Sequence, residues 1–540
     1  MLYVVKQLNK WHHYLVFVLF LLLGLAFYSV VIQGPFLFDD IALVVQNPSI
    51  HSFSYWRDWF HTFSYQGYQS ATLFRPFVMF VYTFLYHFFG EEVFWYHLTN
   101  ILFHIASTFL VYEIFLILGV RRLLSLVGAL FFLLHPVQAE SVAYIAGLSD
   151  VISGFFVFCA VYAFMRMTMM KKGMVLAVLS FFAVVLALLT KESGLVSFLL
   201  ILLYTSLYWR RCKPQYIFII RFLVFLFAIV FFYLLFRFYF FPSESYLGGL
   251  SRLHDQYDES LLVRLITFVS VLWDYMKLMF YPIGLHFVRQ FEFYTHVFQL
   301  RFVFGIVSIV LLFYLLVIRF WKNMCIFSPY VFGLGWFFLS LAPVSGIFPI
   351  NSIYAERWLY IPITGVIFVL MNLFQKVKYR VFRCVVVVIC ALLLIFNSVL
   401  LVKRNFEWAH PLDFFENELV YNNNSALIYN QLALVYIQRG ELNKAEEYLK
   451  IGASLKQDVT QLYFNLALLL EQKGDFYFAI DNLRIALKLH PDFMVGYRLL
   501  YQIFLKMGLS VNAGQVSAYM QRVENNEIPS SEEIDKLFEK

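Results

Sequence analysis

The chain has 540 residues, of which 61% are hydrophobic, 21% aromatic and 14% charged, where soluble domains run near a quarter charged. So little charge on so much apolar surface excludes both an ordinary soluble enzyme and an intrinsically disordered chain. The formal charge of +7 comes without a polybasic tract, and no nucleic acid is expected as a partner.

Lys6 and Lys10 lead into an apolar stretch with no small-residue cleavage site before Gln33, which reads as an uncleaved first span rather than a signal peptide. Hydrocarbon about 30 Å thick takes roughly 20 apolar residues of helix. By that rule eleven spans are predicted: Leu15–Ile32, Trp95–Leu118, Leu123–Leu134, Val151–Met165, Met174–Leu189, Gly194–Tyr208, Ile217–Tyr239, Phe302–Ile318, Tyr330–Ala342, Trp358–Phe374 and Val385–Leu401. The segment Leu261–Phe280 is apolar enough to span, but parity assigns it a re-entrant or interfacial place. It carries Arg264, Asp274 and Lys277 and is expected to line a cavity in part.

The short loops are basic: Arg121 and Arg122, Lys171 and Lys172, Arg210, Arg211 and Lys213, Arg319 and Lys322, then Lys376, Lys378, Arg380 and Arg383. All fall on one side with the N-terminus, and the positive-inside rule makes that side cytoplasmic. The region after the last span is then lumenal or periplasmic, in a bacterial inner membrane or the endoplasmic reticulum. The five cysteines, Cys159, Cys212, Cys325, Cys384 and Cys390, lie in or beside apolar runs, and no disulfide framework is expected in the soluble part.

From residue 402 the composition turns soluble, and three blocks of 34 residues repeat: Ser425–Asp458, Val459–Asp492 and Phe493–Asn526. They agree at Tyr429, Tyr463 and Tyr497, at Ala433 and Ala467, at Gly440, Gly474 and Gly508, and at Ala445, Ala479 and Ala513. Thirty-four is the tetratricopeptide period; small residues let paired helices approach, and the glycines sit where each pair turns. The expected division is a membrane domain over 1–401, a connecting helix over 402–424, three repeats over 425–526 and a polar tail over 527–540. The fold class is all-α, a polytopic helix bundle followed by a short α-solenoid.

By this topology the outward-facing polar residues fall into a few stretches: Asp39 and Asp40 after the first span; Arg75; His97 and His104; His135 with Glu140; Asp150; Lys191 and Glu192; Glu356 and Arg357. Ionisable groups at membrane depth cost a few kcal/mol and rarely persist without a task. Paired carboxylates beside cations suit a reaction that takes a proton from a hydroxyl and expels an anionic lipid group: a carboxylate can act as base, and lysine or arginine can hold the departing phosphate. Apolar spans can bind a lipid tail, which allows a sugar on a polyprenyl phosphate as donor.

The order Phe38-Asp39-Asp40, Arg75-Pro76, His97 to His104, His135-Pro136 with Glu140, Gly147 to Asp150, Lys191-Glu192 and Ala355-Glu356-Arg357 before Leu359-Tyr360 resembles the transmembrane and tetratricopeptide-repeat O-mannosyltransferases, multispan glycosyltransferases of the GT-C class. The resemblance covers nearly the whole chain. It implies an inverting transferase that moves a sugar, mannose, from a polyprenyl phosphate to Ser or Thr hydroxyls of proteins on the outer face. It also implies that the acidic pair supplies the base: Asp39 matches the first acid of related pairs, and Asp40 is its acceptor-orienting or helix-capping partner. Arg357, Lys191, Arg75 and His135 are the candidate donor-phosphate ligands, with Glu140, Asp150, Glu192, Glu356 and His97 as supporting polar groups. Where related chains commonly read Gly-Arg-Ala-Asp, this one has Gly147-Leu148-Ser149-Asp150.

Plainer readings stand beside these. Asp39 and Asp40 precede Ile41–Val45 and could serve only as helix caps. Lys191-Glu192 and Glu356-Arg357 could be interfacial ion pairs worth little. The histidines show no tight metal-ligand spacing, and no metal or other cofactor is expected beyond the lipid-linked co-substrate. The repeats are expected to take acceptor protein or peptide. Two alternatives remain: the same fold acting on a lipid or glycan, and a non-enzymatic transporter or assembly scaffold with partner-docking repeats.

Overall fold

The computed structural model describes residues 2–60, 74–170, 173–209, 216–240, 260–289, 294, 299–321, 328–347, 354–525 and 527–538. Among them all regular structure is helical: α-helices joined by short 3-10 turns, with one π-helical turn at Ile41–Val45. The chain divides into two compact units, Met1–Ala409 and His410–Lys540.

Among the described residues of the first unit, six helices are long and apolar enough to cross a membrane: Trp11–Gln33, Val93–Ile117, Ile145–Thr168, Tyr216–Arg237, Leu300–Ile318 and Arg380–Ala409. Arg122–Leu134 and Pro136–Ala143 together make a further apolar pair, bent by 47° where Pro136 cannot donate the N–H that would continue the first helix. Shorter apolar helices run over Pro76–Phe89, Met174–Thr190, Glu192–Leu207, Ser328–Val344 and Pro362–Phe374. The protein is a multi-pass membrane protein. Most of these helices fall where spans were predicted, but Pro76–Phe89 lies inside the predicted first outer loop. Arg75 is its N-cap and Pro76 opens its first turn, where a missing N–H costs nothing. Leu261–Phe280 is one continuous helix of 20 residues, too charged at Arg264, Asp274 and Lys277 to count among the crossing helices. Of the basic loop residues, Lys171, Lys172, Arg210, Arg211, Lys213 and Lys322 lie outside the described residues.

The helices of this unit pack through small residues as much as through large ones. Ser328–Leu341 and Pro362–Phe374 meet at Gly333 and Gly365, where a Cβ on either would collide with the other's carbonyl oxygen; such small-residue contacts let membrane helices approach backbone to backbone. Gly147 is held in the same way, since a Cβ there would collide with the carbonyl of Ser141. It fixes the corner between the short helix Ala139–Ala143 and the long helix Leu148–Thr168, and so sets where Glu140 and Asp150 stand.

In the second unit the helices pack in consecutive pairs: Ala426–Gln438 with Leu442–Leu455, Thr460–Lys473 with Phe476–Leu489, and Met494–Lys506 with Ser510–Glu524. Ala433, Ala445, Ala467 and Ala479 are fully buried between them. Gly440, Gly474 and Gly508 end the first helix of each pair with φ of 76°, 83° and 76°, a left-handed backbone that glycine adopts without steric cost. Residues 402–409, expected in the connecting segment, continue the helix Arg380–Ala409; a separate helix covers Pro411–Tyr421. Within the expected tail, Ser530 and Glu533 form a capping box that starts the helix Ser531–Lys536.

Candidate active site

The segment after the first helix separates its two acids. Phe38 adopts φ +48°, a left-handed conformation that costs a side-chain-bearing residue about 1–2 kcal/mol, and its ring stacks on Phe287 at 4.6 Å. The turn this makes sends Asp40 inward and Asp39 outward. Asp40 is 1% exposed; its Oδ2 accepts from the N–H of Leu37 at 3.0 Å and its Oδ1 from the N–H of Ala146 at 2.7 Å. Burial pushes its carboxyl up from the usual range, against backbone donors that favour the charged form. It makes no side-chain cap to the π-helical turn it precedes; its acceptors are spent on the loop instead. Asp39 is exposed, and its backbone N–H donates to the Tyr144 hydroxyl at 3.0 Å.

The cations come from four further places in the chain. Lys191, in the turn between two apolar helices, lies 2.5 Å from Asp150 at the start of Leu148–Thr168. Glu192 beside it takes Arg237 at 2.6 Å and Arg75 at 3.7 Å. Arg357 gives Nη1 to Glu140 Oε1 at 2.5 Å and its backbone N–H to Oε2 at 3.0 Å. Arg357 is within electrostatic reach of Asp150 and Asp39, and Lys191 of Arg75 and Arg357. Asp39, Glu140, Asp150, Lys191, Glu192, Arg75 and Arg357 therefore form one cluster, drawn together from an interval of more than 300 residues. Burial pulls the Lys191 ammonium below its usual value, with Asp150 opposing.

Three expected members stand apart in role. His135 is 3% exposed; its Nε2 donates to the carbonyl of Met279 at 3.0 Å and its Nδ1 accepts from the N–H of Val137 at 3.3 Å. With both ring nitrogens taken by backbone, it has no donor left for a phosphate, and it acts as a brace for the bent helix pair. His97 ties Val93–Ile117 to the carbonyl of Gly34 at 3.0 Å, which anchors the segment leading to Asp39. Glu356 is fully buried, accepts the N–H of His286 at 2.8 Å and pairs with Arg289.

Arg237, Arg289, Tyr144 and Phe287 were not singled out in the sequence. Arg237 could have been, as a cation at the end of an apolar span, whereas Tyr144 and Phe287 carry no charge to mark them. Leu148 is 1% exposed and packs with Tyr82, Ile145 and Ile152, so that position faces the apolar core and not the cluster. Among the described residues, no group of three or more His, Cys, Asp and Glu is arranged to hold a metal ion.

No family model matches the chain. It is 24% identical over 434 residues to the protein O-mannosyl-transferase F38B6.6 of Caenorhabditis elegans, an alignment that covers 77% of the chain and 59% of that protein. It is 28% identical over 190 residues to the human protein O-mannosyl-transferase TMTC1, covering 32% of the chain and 21% of the relative. The chain is similar to the protein O-mannosyl-transferases. The chain spans 59% of the length of the Caenorhabditis relative, and 16% of the Drosophila melanogaster protein O-mannosyl-transferase Tmtc3 at 23% identity over 27% of the chain. Among solved structures, ArnT from Cupriavidus metallidurans bound to undecaprenyl phosphate aligns with 93% of this chain and 79% of its own, at 14% identity and a TM-score of 0.34. The same enzyme in the apo state aligns with 88% and 80% at 17% identity and a TM-score of 0.36.

Proposed function

We propose that this protein is an inverting glycosyltransferase that moves mannose from a polyprenyl phosphate to Ser or Thr hydroxyls of proteins on the lumenal or periplasmic face. The observation that carries the reading is the division of labour between adjacent acids: Asp40 is spent on two backbone N–H groups, while Asp39 stays exposed within the electrostatic reach of Arg357. An exposed carboxylate can accept a proton, and a mixed set of lysine and arginine can hold a leaving phosphate.

In the proposed step Asp39 takes the proton of the hydroxyl as its oxygen attacks the anomeric carbon from the face opposite the phosphate. The new carbon–oxygen bond forms as the bond to the phosphate oxygen breaks, and the electron pair leaves with the phosphate. Lys191, Arg75 and Arg357 take up that charge, joined by Arg237, which with Arg75 puts two guanidiniums on the single carboxylate of Glu192. Apolar helices beside the cluster hold the polyprenyl tail, and the paired helices of the second unit take the acceptor polypeptide. No metal enters the step, so a chelator should leave transfer unchanged.

The test is transfer of mannose from polyprenyl-phosphate mannose to a Ser/Thr peptide by membranes carrying the wild type or Asp39→Asn. Loss of transfer with donor binding retained is expected. An active Asp39→Asn protein sinks the assignment.

A further inference from the structure

We infer that Tyr144 is a positioning residue for Asp39, one that holds the base through its backbone N–H and leaves the carboxylate free. The inference rests on the reading of Asp39 as the base.

Residues 38, 39 and 40 are each held by a group from elsewhere in the chain. Phe38 is stacked on Phe287 at 4.6 Å, the N–H of Asp39 donates to the Tyr144 hydroxyl at 3.0 Å, and Asp40 accepts from Ala146 at 2.7 Å. The short segment 144–146 therefore grips two consecutive residues of the acidic dipeptide. Among the described residues, the Asp39 carboxylate itself takes no hydrogen bond or ion pair, so what the fold fixes is the backbone from which it projects.

Tyr144 is fitted to this task by its surroundings. It is 3% exposed, its ring stacks on Trp408 at 5.3 Å and 25°, and it meets Phe287 edge-on at 5.4 Å. Phe287 thus touches both Phe38 and Tyr144, so that one packed aromatic group fixes the residue before Asp39 and the hydroxyl that holds Asp39. Two rotatable angles place a tyrosine hydroxyl, and packing against Trp408 and Phe287 restricts that freedom before substrate arrives. The benefit lies in rate: a reacting group misplaced by about 1 Å loses on the order of a hundredfold.

The experiment compares Tyr144→Phe, which keeps the ring and its stacking and removes only the oxygen, with Asp39→Asn in the same transfer assay, with kcat and KM measured separately for donor and peptide. The expected result is a fall in kcat of about tenfold to a hundredfold in Tyr144→Phe, with both KM values within about twofold of wild type and the thermal midpoint little changed. A wild-type kcat in Tyr144→Phe beside an inactive Asp39→Asn overturns the positioning role, as does a change confined to KM. An active Asp39→Asn overturns the base reading instead, so the two failures are distinguishable. Tyr144→Leu, which removes both stacking and hydroxyl, should lose kcat at least as far; kcat equal to wild type in that variant also overturns the proposal.

Discussion

Arg357 gives both its guanidinium and its own backbone N–H to one carboxylate, that of Glu140, at 2.5 and 3.0 Å. The Glu140 side chain is 1% exposed and that of Arg357 27%. The acid is therefore the deeply held partner, and the guanidinium keeps one side toward the open cluster. Loss of the cation strands a buried charge, whereas loss of both partners does not. Arg357→Ala should lower stability by about 3 kcal/mol, the lower end for a buried pair because water reaches part of the arginine. Arg357→Ala/Glu140→Gln should recover most of that in thermal unfolding of the purified protein. Equal melting of the single and double variants would contradict the pairing.

Lys191 gives a pH dependence with a definite sign. Burial lowers the value at which its ammonium loses its proton, with Asp150 opposing, so the cation is present at low pH and is lost as pH rises through that lowered value. The donor KM should therefore begin to rise at a pH below the usual lysine value of 10.5. Arginine keeps its charge throughout, and Lys191→Arg should flatten that limb. A wild-type KM that stays constant up to the usual lysine range would argue against Lys191 as a phosphate ligand.

Asp40 accepts two backbone N–H groups with its two oxygens. In Asp40→Asn one of those oxygens becomes an amide donor that faces another donor, and a buried unmade hydrogen bond costs about 1–3 kcal/mol. The variant should melt earlier and transfer more slowly, and Asp40→Glu should not restore it, because the longer side chain cannot place both oxygens in the same turn. Wild-type melting of Asp40→Asn would remove the structural role.

Phe38 combines a stack worth about 0.5–1.5 kcal/mol with a left-handed backbone that costs about 1–2 kcal/mol. Phe38→Ala loses the stack and keeps the cost, whereas Phe38→Gly loses both. Glycine should therefore be the more stable replacement by about 1 kcal/mol, the reverse of the usual order. Chemical denaturation of the two variants side by side would decide it, and a more stable alanine variant would mean that the backbone relaxes away from φ +48°.

The site was legible where charge marked it. Asp39, Arg75, Glu140, Asp150, Lys191, Glu192 and Arg357 stand out because an ionisable residue at the edge of an apolar run is costly; the fold pairs Arg75 with Glu192, Lys191 with Asp150 and Arg357 with Glu140, and leaves Asp39 in the electrostatic reach of Arg357. Charge alone does not reveal which polar atoms are already committed. His135 looks as available as Lys191, yet the carbonyl of Met279, 144 residues away, takes its free nitrogen. Asp40 looks like an acceptor-orienting group or a helix cap, yet its partners are Leu37 and Ala146. Tyr144 and Phe287 were invisible because aromatic residues make up 21% of the chain, and one more ring carries no signal. The helices themselves followed from the length of the apolar runs and from the 34-residue repeat, except at Pro76–Phe89, where the outer-loop assignment passed over a run of apolar residues behind a proline.

The turn that carries Lys191 and Glu192 joins two short helices. Met174–Thr190 has 17 residues and Leu195–Leu207 has 13, which at about 1.5 Å per residue reach roughly 25 and 20 Å against hydrocarbon about 30 Å thick. In the proposed orientation, with their far ends at the cytoplasmic interface, the turn stops about 5–10 Å short of the opposite headgroups. Depth then becomes a variable of catalysis: a lipid phosphate must sink, or the bilayer must thin, before the two meet. Turnover should accordingly rise in bilayers of shorter acyl chains, as membrane thickness sets how much of the donor population sits within reach.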